Sequence, residues 1–226
     1  DRPFSALIFE GALEELTQTK NSQLAIFIVS LAIHAALRKS LPEIVPSVCA
    51  GLSLGEYTAL VASGKLSLEE GLALVEKRAM FMQQACVSNP GSMKVVLGMT
   101  PDQIELILQD LSTQAWIANL NCPGQVVIAG TVEGLEKASI ALKEAGAKRV
   151  LPLEVSGAFH SALMQPARDL LTPYLLGASF QNTSIDLVMN TPGDFVKDTD
   201  QMRKFLIEQV TQPVLYQKGI ESMIRI

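Results

Sequence analysis

The sequence predicts an α/β protein in which a larger body, residues 1–88 and 156–226, is interrupted by a smaller α+β insert, residues 89–155. Two observations predict this division. In the body, short apolar strands alternate with long helical patterns, whereas the middle section has short strands and helices in close succession. The chain has 226 residues, 48% hydrophobic and 18% charged, which is enough to bury a substantial core and argues against intrinsic disorder.

The first part of the body is predicted to be helical. Residues 12–19 predict a short helix, and Asn21 or Ser22 is expected to cap a second helix that runs to about Arg38. Apolar residues occupy nearly all faces of that second helix, which predicts deep burial. Residues 45–50 then predict a short buried strand.

The next two helices have recognisable ends. A helical pattern starts after Gly55 and stops at Gly64. Ser67 is followed by Glu70 at the spacing of a capping box, which predicts a helix that continues to about Val87.

The insert shows the order β-α-β-β-α-β, which is the signature of a ferredoxin-like subdomain. Its expected strands are residues 93–99, 116–121, 126–129 and 149–155, and its expected helices are residues 101–111 and 131–146. Helical patterns then return, with one more body strand near residues 185–189.

Charge and composition exclude several function classes. The formal net charge of −5 provides no general attraction for nucleic acid. The most apolar run, residues 24–37, contains Ser30 and His34 and is shorter than a membrane span, so no membrane association is expected. The three cysteines form no CxxC pair, which fits reduced thiols and a cytoplasmic location. No metal site is expected.

The five residues Gly51-Leu52-Ser53-Leu54-Gly55 match the pattern G-x-S-x-G between a predicted strand and a predicted helix. A serine on such a sharp turn is strained, and glycines two residues away on either side relieve clashes of Cβ atoms. The backbone amide of Leu54, at the start of the helix, could stabilise an oxyanion. The body is therefore expected to be a hydrolase-like parallel-sheet unit with Ser53 as nucleophile.

A serine nucleophile needs a base, and the chain has two histidines, His34 and His160. His34 lies in the middle of an apolar helix, where a structural role is expected. His160 lies in a segment of small residues after a strand, so it is the expected general base. A carboxylate between Ser53 and His160 in the chain could orient the imidazole, and so could a backbone or amide carbonyl.

These residues resemble the malonyl-CoA:acyl-carrier-protein transacylase family, over almost the whole chain and in the same order. The elbow continues as Glu56-Tyr57, like the family's G-H-S-L-G-E-[YF]. An arginine follows the serine by 25 residues. The other similar segments are residues 121–130, 156–161 and 209–214, like the family's N-S-P-x-Q-x-V-I-S-G, S-x-x-F-H-S and Q-[LV]-x-x-P-V.

The resemblance implies a role for each matched residue. Ser53 accepts the malonyl group, His160 is its base, and the backbone carbonyl of Gln209 orients the histidine. Arg78 pairs with the malonyl carboxylate, for which its guanidinium fork is suited. Phe159 before the histidine resembles the malonyl-selective form. The pocket is implied to be lined by Leu52, Asn121 and Phe159.

The implied substrates are malonyl-CoA and acyl carrier protein in fatty acid biosynthesis, with no cofactor and a monomeric enzyme. The sequence departs from the family pattern at Leu52 and Cys122, which replace a histidine and a serine. It also lacks the family's first strand with its G-Q-G segment and its E-x-G-P-G segment. The chain is therefore expected to be truncated at both ends, with an open position in the central sheet.

Two other functions remain open from the sequence. A serine hydrolase or thioesterase could use the same serine and histidine, and it would be expected to have a carboxylate near His160. An inactive interaction domain could have inherited the motifs without activity if the absent segments are needed for catalysis.

Overall fold

The computed structural model describes residues 3–225. The first part of the body comprises α1 (Phe4–Glu10), α2 (Leu13–Leu16), α3 (Thr19–Ser40), β1 (Val48–Ala50), α4 (Gly55–Ala62) and α5 (Leu68–Ser88). The middle section comprises β2 (Ser92–Leu97), α6 (Pro101–Asp110), β3 (Ala115–Cys122), β4 (Gln125–Gly130), α7 (Val132–Glu144) and β5 (Arg149–Pro152). The rest comprises a 3-10 turn (Ala162–Met164), α8 (Gln165–Gly177), β6 (Asp186–Met189), β7 (Asp194–Phe195), α9 (Thr199–Gln209) and α10 (Tyr216–Ile224).

The N-terminal helices differ from the sequence expectation. Helix α1 was not expected, and the cap expected at Asn21 or Ser22 is wrong because α3 already begins at Thr19. The backbone amides of Asn21 and Ser22 both donate to the carbonyl of Gln18, the residue before the helix. The side chain of Asn21 donates instead to the carbonyl of Glu15 in α2, so it is not available as a cap.

The prediction that α3 is buried deep in the domain is also wrong within residues 3–225. Phe27 is fully buried, but Ile26, Ile33 and Leu37 are 55%, 57% and 51% exposed. The reason is that α3 packs mainly on α4 and α5, which lie along one side of it. The helix is also long and apolar enough to cross a membrane by length and composition, contrary to the expectation that this stretch is too short. The core helix of a soluble protein, which is mostly buried, and a signal sequence near the N-terminus pass the same test, and only 17% of this apolar stretch is buried.

The body contains a three-stranded sheet of order β1-β6-β7. Strands β1 and β6 are parallel, with Val48 opposite Asp186 and Ala50 opposite Val188, and β7 is antiparallel to β6. Because the two parallel strands end at the same edge of the sheet, the segments that follow them are brought together. Strand β1 lies at the edge, so a position beside it is open within the described residues.

The middle section forms a separate antiparallel sheet of order β3-β4-β2-β5. This strand order and the two helices give the ferredoxin-like arrangement that the β-α-β-β-α-β order predicts. Alternate side chains face opposite sides of the sheet. Val126 and Ile128 pack into a core with α6 and α7, whereas Val127 and Ala129 face Ala158 in the segment that leads back to the body. The domain boundaries at 88/89 and 155/156 stay a prediction, and residues 1, 2 and 226 lie outside the described residues.

The capping box predicted at Ser67 and Glu70 forms only by half, because the Glu70 side chain accepts the backbone N–H of Ser179 and not that of Ser67. The side chain of Ser67 caps α5 by accepting the amide hydrogen of Glu70 at 3.1 Å. Thr100 and Gln103 form a reciprocal capping box at the start of α6. Helix α5 then carries Arg78 into the body, and α9 ends at Gln209, so the fold delivers both residues to the end of β1.

Candidate active site

The serine elbow has the strained geometry expected of a nucleophile turn. Ser53 has a φ of 54°, a left-handed conformation that is uncommon for residues other than glycine. A Cβ atom on Gly51 would lie 2.1 Å from the carbonyl carbon and oxygen of Gly55, so only glycine fits there. At Gly55 a Cβ would meet nothing within 4 Å. The expectation that both glycines relieve a clash therefore holds for Gly51 and is wrong for Gly55.

Asn190, the first residue after β6, holds this elbow from the neighbouring strand. Its side-chain Oδ1 accepts the backbone N–H of Ser53 at 2.6 Å, and its Nδ2 donates to the carbonyl of Gly51 at 2.7 Å. Asn190 is 4% exposed, and its amide satisfies two backbone groups of the half-buried elbow. Sequence reasoning missed this residue because the pairing of β1 with β6 brings it to the elbow from 137 positions away.

Ser53 and His160 are in direct contact. The Oγ of Ser53 lies 2.8 Å from Nε2 of His160, and Nδ1 of the same ring lies 2.7 Å from the backbone carbonyl of Gln209. A carbonyl can only accept, so Nδ1 carries the proton and Nε2 offers its lone pair to the serine. His160 has a φ of 56°, so it also lies in the left-handed region.

The electrostatic surroundings keep His160 neutral. The side chain is 3% exposed. Burial, reinforced by the positive charge of Arg78, lowers the pKa of His160 to about 4, while its hydrogen bond to the Gln209 carbonyl opposes the change. A neutral imidazole with Nε2 unprotonated is the form that can accept a proton from Ser53.

Arg78 is buried beside the nucleophile. It is 1% exposed, and its Nη2 donates to Ser53 Oγ at 3.1 Å and to Gln209 Oε1 at 3.0 Å. Its Nη1 donates to the side-chain oxygen of Gln23 on α3. The remaining donor, Nε, is buried and has no hydrogen-bond partner among the described residues. The guanidinium is thus a fixed positive charge within reach of any group attached to the serine oxygen.

Glu56, in the first turn of α4, is a buried carboxyl group in the same network. Its Oε1 accepts the backbone N–H of Asn190 at 2.6 Å, and its Oε2 accepts Nε2 of Gln209 at 2.5 Å. Burial raises the pKa of Glu56 to about 8, against the two hydrogen bonds and the charge of Arg78. The motif position after Gly55 was the only sequence signal for Glu56, and its contacts depend on α9 and β6.

The other expected site residues lie in different surroundings. The backbone N–H of Leu54 donates to no acceptor among residues 3–225, so it is available at the start of α4. Leu52 is 40% exposed next to the serine. Phe159 packs against both the body core and the small cluster under the insert sheet. Asn121 donates to Gln125 at 3.3 Å, and no hydrogen bond joins it to Ser53 or His160 in the described part of the chain.

A cleft of about 340 Å³ opens onto His160 between the insert and the body. The insert contributes Trp116 and Ile117, and the body contributes Arg168 and Thr211. No aspartate or glutamate is hydrogen-bonded to His160 among the residues that the structure describes, and those residues contain no cluster of three metal-ligating side chains. The contacts of the imidazole are therefore a serine hydroxyl and a backbone carbonyl.

The family model of the acyl transferase domain matches residues 4–225 of this chain. A malonyl CoA-acyl carrier protein transacylase of Bacillus subtilis is 41% identical over 223 residues, which cover 97% of this chain and 70% of that protein. The Escherichia coli K12 transacylase of the same name is 37% identical over 220 residues, 96% of this chain and 71% of that protein.

Solved structures give the same result. An acyl-carrier-protein S-malonyltransferase from Burkholderia pseudomallei superposes with a TM-score of 0.92 at 38% identity, covering 98% of this chain and 73% of that one. A malonyl-transacylase in complex with a type II PKS acyl-carrier protein superposes with a TM-score of 0.93 at 36% identity, covering 98% and 72%. These similarities confirm the fold class and the resemblance: the chain belongs to the malonyl CoA-acyl carrier protein transacylase family of acyl transferase domains.

Proposed function

We propose that this chain is a malonyl-CoA:acyl-carrier-protein S-malonyltransferase that works through an acyl-enzyme on Ser53. One observation carries the proposal. A fully buried guanidinium, that of Arg78, donates to the oxygen of a serine that is also hydrogen-bonded to a neutral histidine. A nucleophile of this kind suits acyl transfer in general, and the fixed positive charge beside it suits an acyl group that carries a free carboxylate.

In the first half-reaction, Ser53 Oγ attacks the thioester carbonyl of malonyl-CoA. His160 Nε2 takes the hydroxyl proton as the C–O bond forms, and the backbone carbonyl of Gln209 stabilises the resulting imidazolium through Nδ1. The tetrahedral intermediate collapses by breaking its C–S bond. The leaving CoA thiolate receives the proton from His160, which restores the neutral base and leaves malonyl-Ser53.

In the second half-reaction, the phosphopantetheine thiol of acyl carrier protein attacks the ester carbonyl of malonyl-Ser53. His160 removes the thiol proton and returns it to Ser53 Oγ as the C–O bond breaks. The Leu54 amide is our candidate for holding the negative oxygen in both tetrahedral intermediates, because it lies at the N-terminus of α4 with no other acceptor among the described residues.

Arg78 is proposed to bind the free carboxylate of the malonyl group. Once Ser53 Oγ has become an ester oxygen, its contact with the guanidinium weakens, and the carboxylate two carbons further along the acyl group can take the freed donor. The unpaired Nε of Arg78 offers a second donor for a two-point contact. Leu52 and Phe159 are the proposed apolar neighbours of the acyl group, and Asn121 is a less direct candidate.

The cleft beside His160 is the proposed path for the thioester arm of both substrates, because it lies between the insert and the body with His160 among its lining residues. The chemistry needs no metal or cofactor, since serine, histidine and arginine supply the nucleophile, the base and the positive charge. We also propose a cytoplasmic monomer that acts in fatty acid biosynthesis and binds neither nucleic acid nor membrane.

A thioesterase is the second candidate, and the surroundings of His160 disfavour it. Its expected carboxylate partner is replaced by the Gln209 carbonyl. Arg78 also has no function in the hydrolysis of an uncharged acyl group. The third candidate, an inactive interaction domain, is disfavoured by the preserved hydrogen bond between Ser53 and His160.

The test is to incubate the chain with malonyl-CoA and to measure the intact mass. A malonyl adduct is expected, and it should be absent from the Ser53→Ala variant. Addition of acyl carrier protein should discharge the adduct and add the same mass to the carrier. Discharge to free malonate without a carrier would indicate the thioesterase, and absence of any adduct would indicate the inactive domain.

A further inference from the structure

We propose that Glu56 is a positioning residue for malonyl recognition: its carboxyl group holds the side-chain amide of Gln209, which in turn holds Arg78. The inference rests on the proposed function, because it concerns how the site selects an acyl group with a carboxylate. Glu56 is 0% exposed and lies on α4, one turn from the nucleophile, but it contacts neither the serine oxygen nor the histidine ring.

The Gln209 side chain bridges the guanidinium of Arg78 and the carboxyl group of Glu56. Its Oε1 accepts Nη2 of Arg78 at 3.0 Å, and its Nε2 donates to Oε2 of Glu56 at 2.5 Å. Arg78 and Glu56 make no direct ion pair among the described residues, so the neutral amide is the link between them. An amide whose oxygen accepts from a guanidinium is polarised so that its N–H group donates more strongly to Glu56.

The orientation of that amide is determined by its partners. Arg78 can only donate, so it requires Oε1. The backbone carbonyl of Ser53, which receives Nε2 at 2.9 Å, can only accept. Glu56 takes the second hydrogen of Nε2, so both hydrogens and the oxygen of the amide are used. Rotation of the amide by 180° would place an N–H against the guanidinium and an oxygen against two acceptors.

Gln209 also contacts the base, but through its backbone. Its main-chain carbonyl accepts Nδ1 of His160 at 2.7 Å, whereas only its side chain reaches Arg78 and Glu56. A change at Glu56 should therefore disturb Arg78 more than His160. Because an acetyl group has no carboxylate for Arg78 to bind, transfer of malonyl should suffer more than transfer of acetyl.

The isosteric variant Glu56→Gln tests this relay. The new amide must use its oxygen for the backbone N–H of Asn190, which leaves its NH₂ group facing the NH₂ group of Gln209. Rotation of the new amide would set its NH₂ group against the fixed backbone N–H of Asn190, so the amide of Gln209 is the one expected to rotate, and Arg78 then loses its acceptor. We expect the ratio of kcat/KM for malonyl-CoA to that for acetyl-CoA to fall by about tenfold or more.

Both kcat/KM values are measured on one preparation, so the fraction of folded enzyme cancels from their ratio. The matched control is Glu70→Gln, the same change at a glutamate that accepts the Ser179 amide far from the serine, and its ratio should equal that of the parent chain. A parent chain that forms no malonyl adduct would refute the proposed function itself. A parent chain that is active, with an unchanged ratio in Glu56→Gln, would refute only the relay.

A double-mutant cycle asks whether Glu56 acts through Gln209. Gln209→Met removes the side-chain amide and keeps the backbone carbonyl, so it should lower the ratio by itself. Adding Glu56→Gln to it should lower the ratio no further. Equal losses for malonyl and acetyl in Glu56→Gln, or additive losses in the double variant, would mean that Glu56 only supports the elbow through Asn190.

If Glu56→Gln does not fold, Glu56→Asp, whose side chain is one methylene shorter, replaces it. Glu56→Asp should show the same fall in the ratio, and an unchanged ratio would refute the relay.

Discussion

The side-chain amide of Asn190 is paired with the backbone on both sides of the nucleophile: it accepts from the N–H of Ser53 at 2.6 Å and donates to the carbonyl of Gly51 at 2.7 Å. The strand that carries Asn190 runs parallel to the strand that leads into the elbow. The left-handed conformation of Ser53 is therefore held by a neighbouring strand as well as by its own turn.

Replacing Asn190 by alanine should leave the Ser53 amide and the Gly51 carbonyl without partners. We expect a loss of unfolding free energy of about 2–6 kcal/mol, from about 1–3 kcal/mol for each of the two unsatisfied groups. The rate of Ser53 acylation should fall by more than about tenfold. Urea denaturation and single-turnover acylation measure the two effects. Asn182→Ala, at an exposed position, is the control, and similar losses in both variants would contradict this role.

The two elbow glycines should respond in opposite ways to alanine. In Gly51→Ala the new Cβ would lie 2.1 Å from the Gly55 carbonyl, so we expect a loss of about 1–3 kcal/mol or more and little acylation. In Gly55→Ala the Cβ meets nothing within 4 Å, and alanine in the first turn of a helix should be neutral or stabilising by up to about 1 kcal/mol. Thermal denaturation of the pair, with acylation rates, checks this, and an equal loss in both variants would contradict it.

Arg78 should determine the choice of acyl group. Arg78→Ala is expected to lower kcat/KM for malonyl-CoA by about a hundredfold or more relative to acetyl-CoA, because a buried charge-assisted pair is lost. Arg78→Lys keeps the positive charge but lacks the planar N–H donors of the guanidinium. Its preference for malonyl-CoA over acetyl-CoA should lie between those of the alanine variant and the parent chain. Competition between the two CoA esters, followed by mass spectrometry of Ser53, measures the preference. Equal loss for both esters would remove the carboxylate role.

Acylation should persist at a pH where an ordinary imidazole is protonated. The pKa of His160 is lowered to about 4, chiefly by burial, so the base stays neutral from neutral pH down to about 5, and acylation should fall only near 4. In the unfolded chain the histidine binds its proton near its ordinary pKa of 6.5. The contribution of His160 to the free energy of unfolding is therefore fully present above pH 6.5, and it is lost as the pH falls from 6.5 to about 4.

Two measurements check this pH dependence. Single-turnover acylation is followed from pH 4 to 8, and an acid limb near 6.5 would contradict the expectation. Urea denaturation of the parent chain and of His160→Gln is compared over the same range, because Glu56 titrates in both and only the histidine differs. The difference in unfolding free energy between the parent chain and His160→Gln should become smaller as the pH falls below 6.5.

Local patterns were enough to predict most of the secondary structure and the chemistry of the site. The cap at Ser67 and the β-α-β-β-α-β order depend on neighbours in the chain, so helix α5 and the insert could be predicted from them. The G-x-S-x-G pattern and the choice between two histidines predicted Ser53 and His160, whereas the family resemblance implied Arg78 and Gln209. Hydrogen bonds link these four residues in the structure.

Only the tertiary structure decided how those four residues are held and which surfaces are covered. Glu56 and Asn190 enter the site through the pairing of β1 with β6 and the approach of α9, which are contacts between residues more than 130 positions apart. Helix α3 has the composition of a buried helix, yet one side of it is open in the described chain. Periodicity records which side chains are apolar, whereas burial and hydrogen bonding depend on which other elements pack against them.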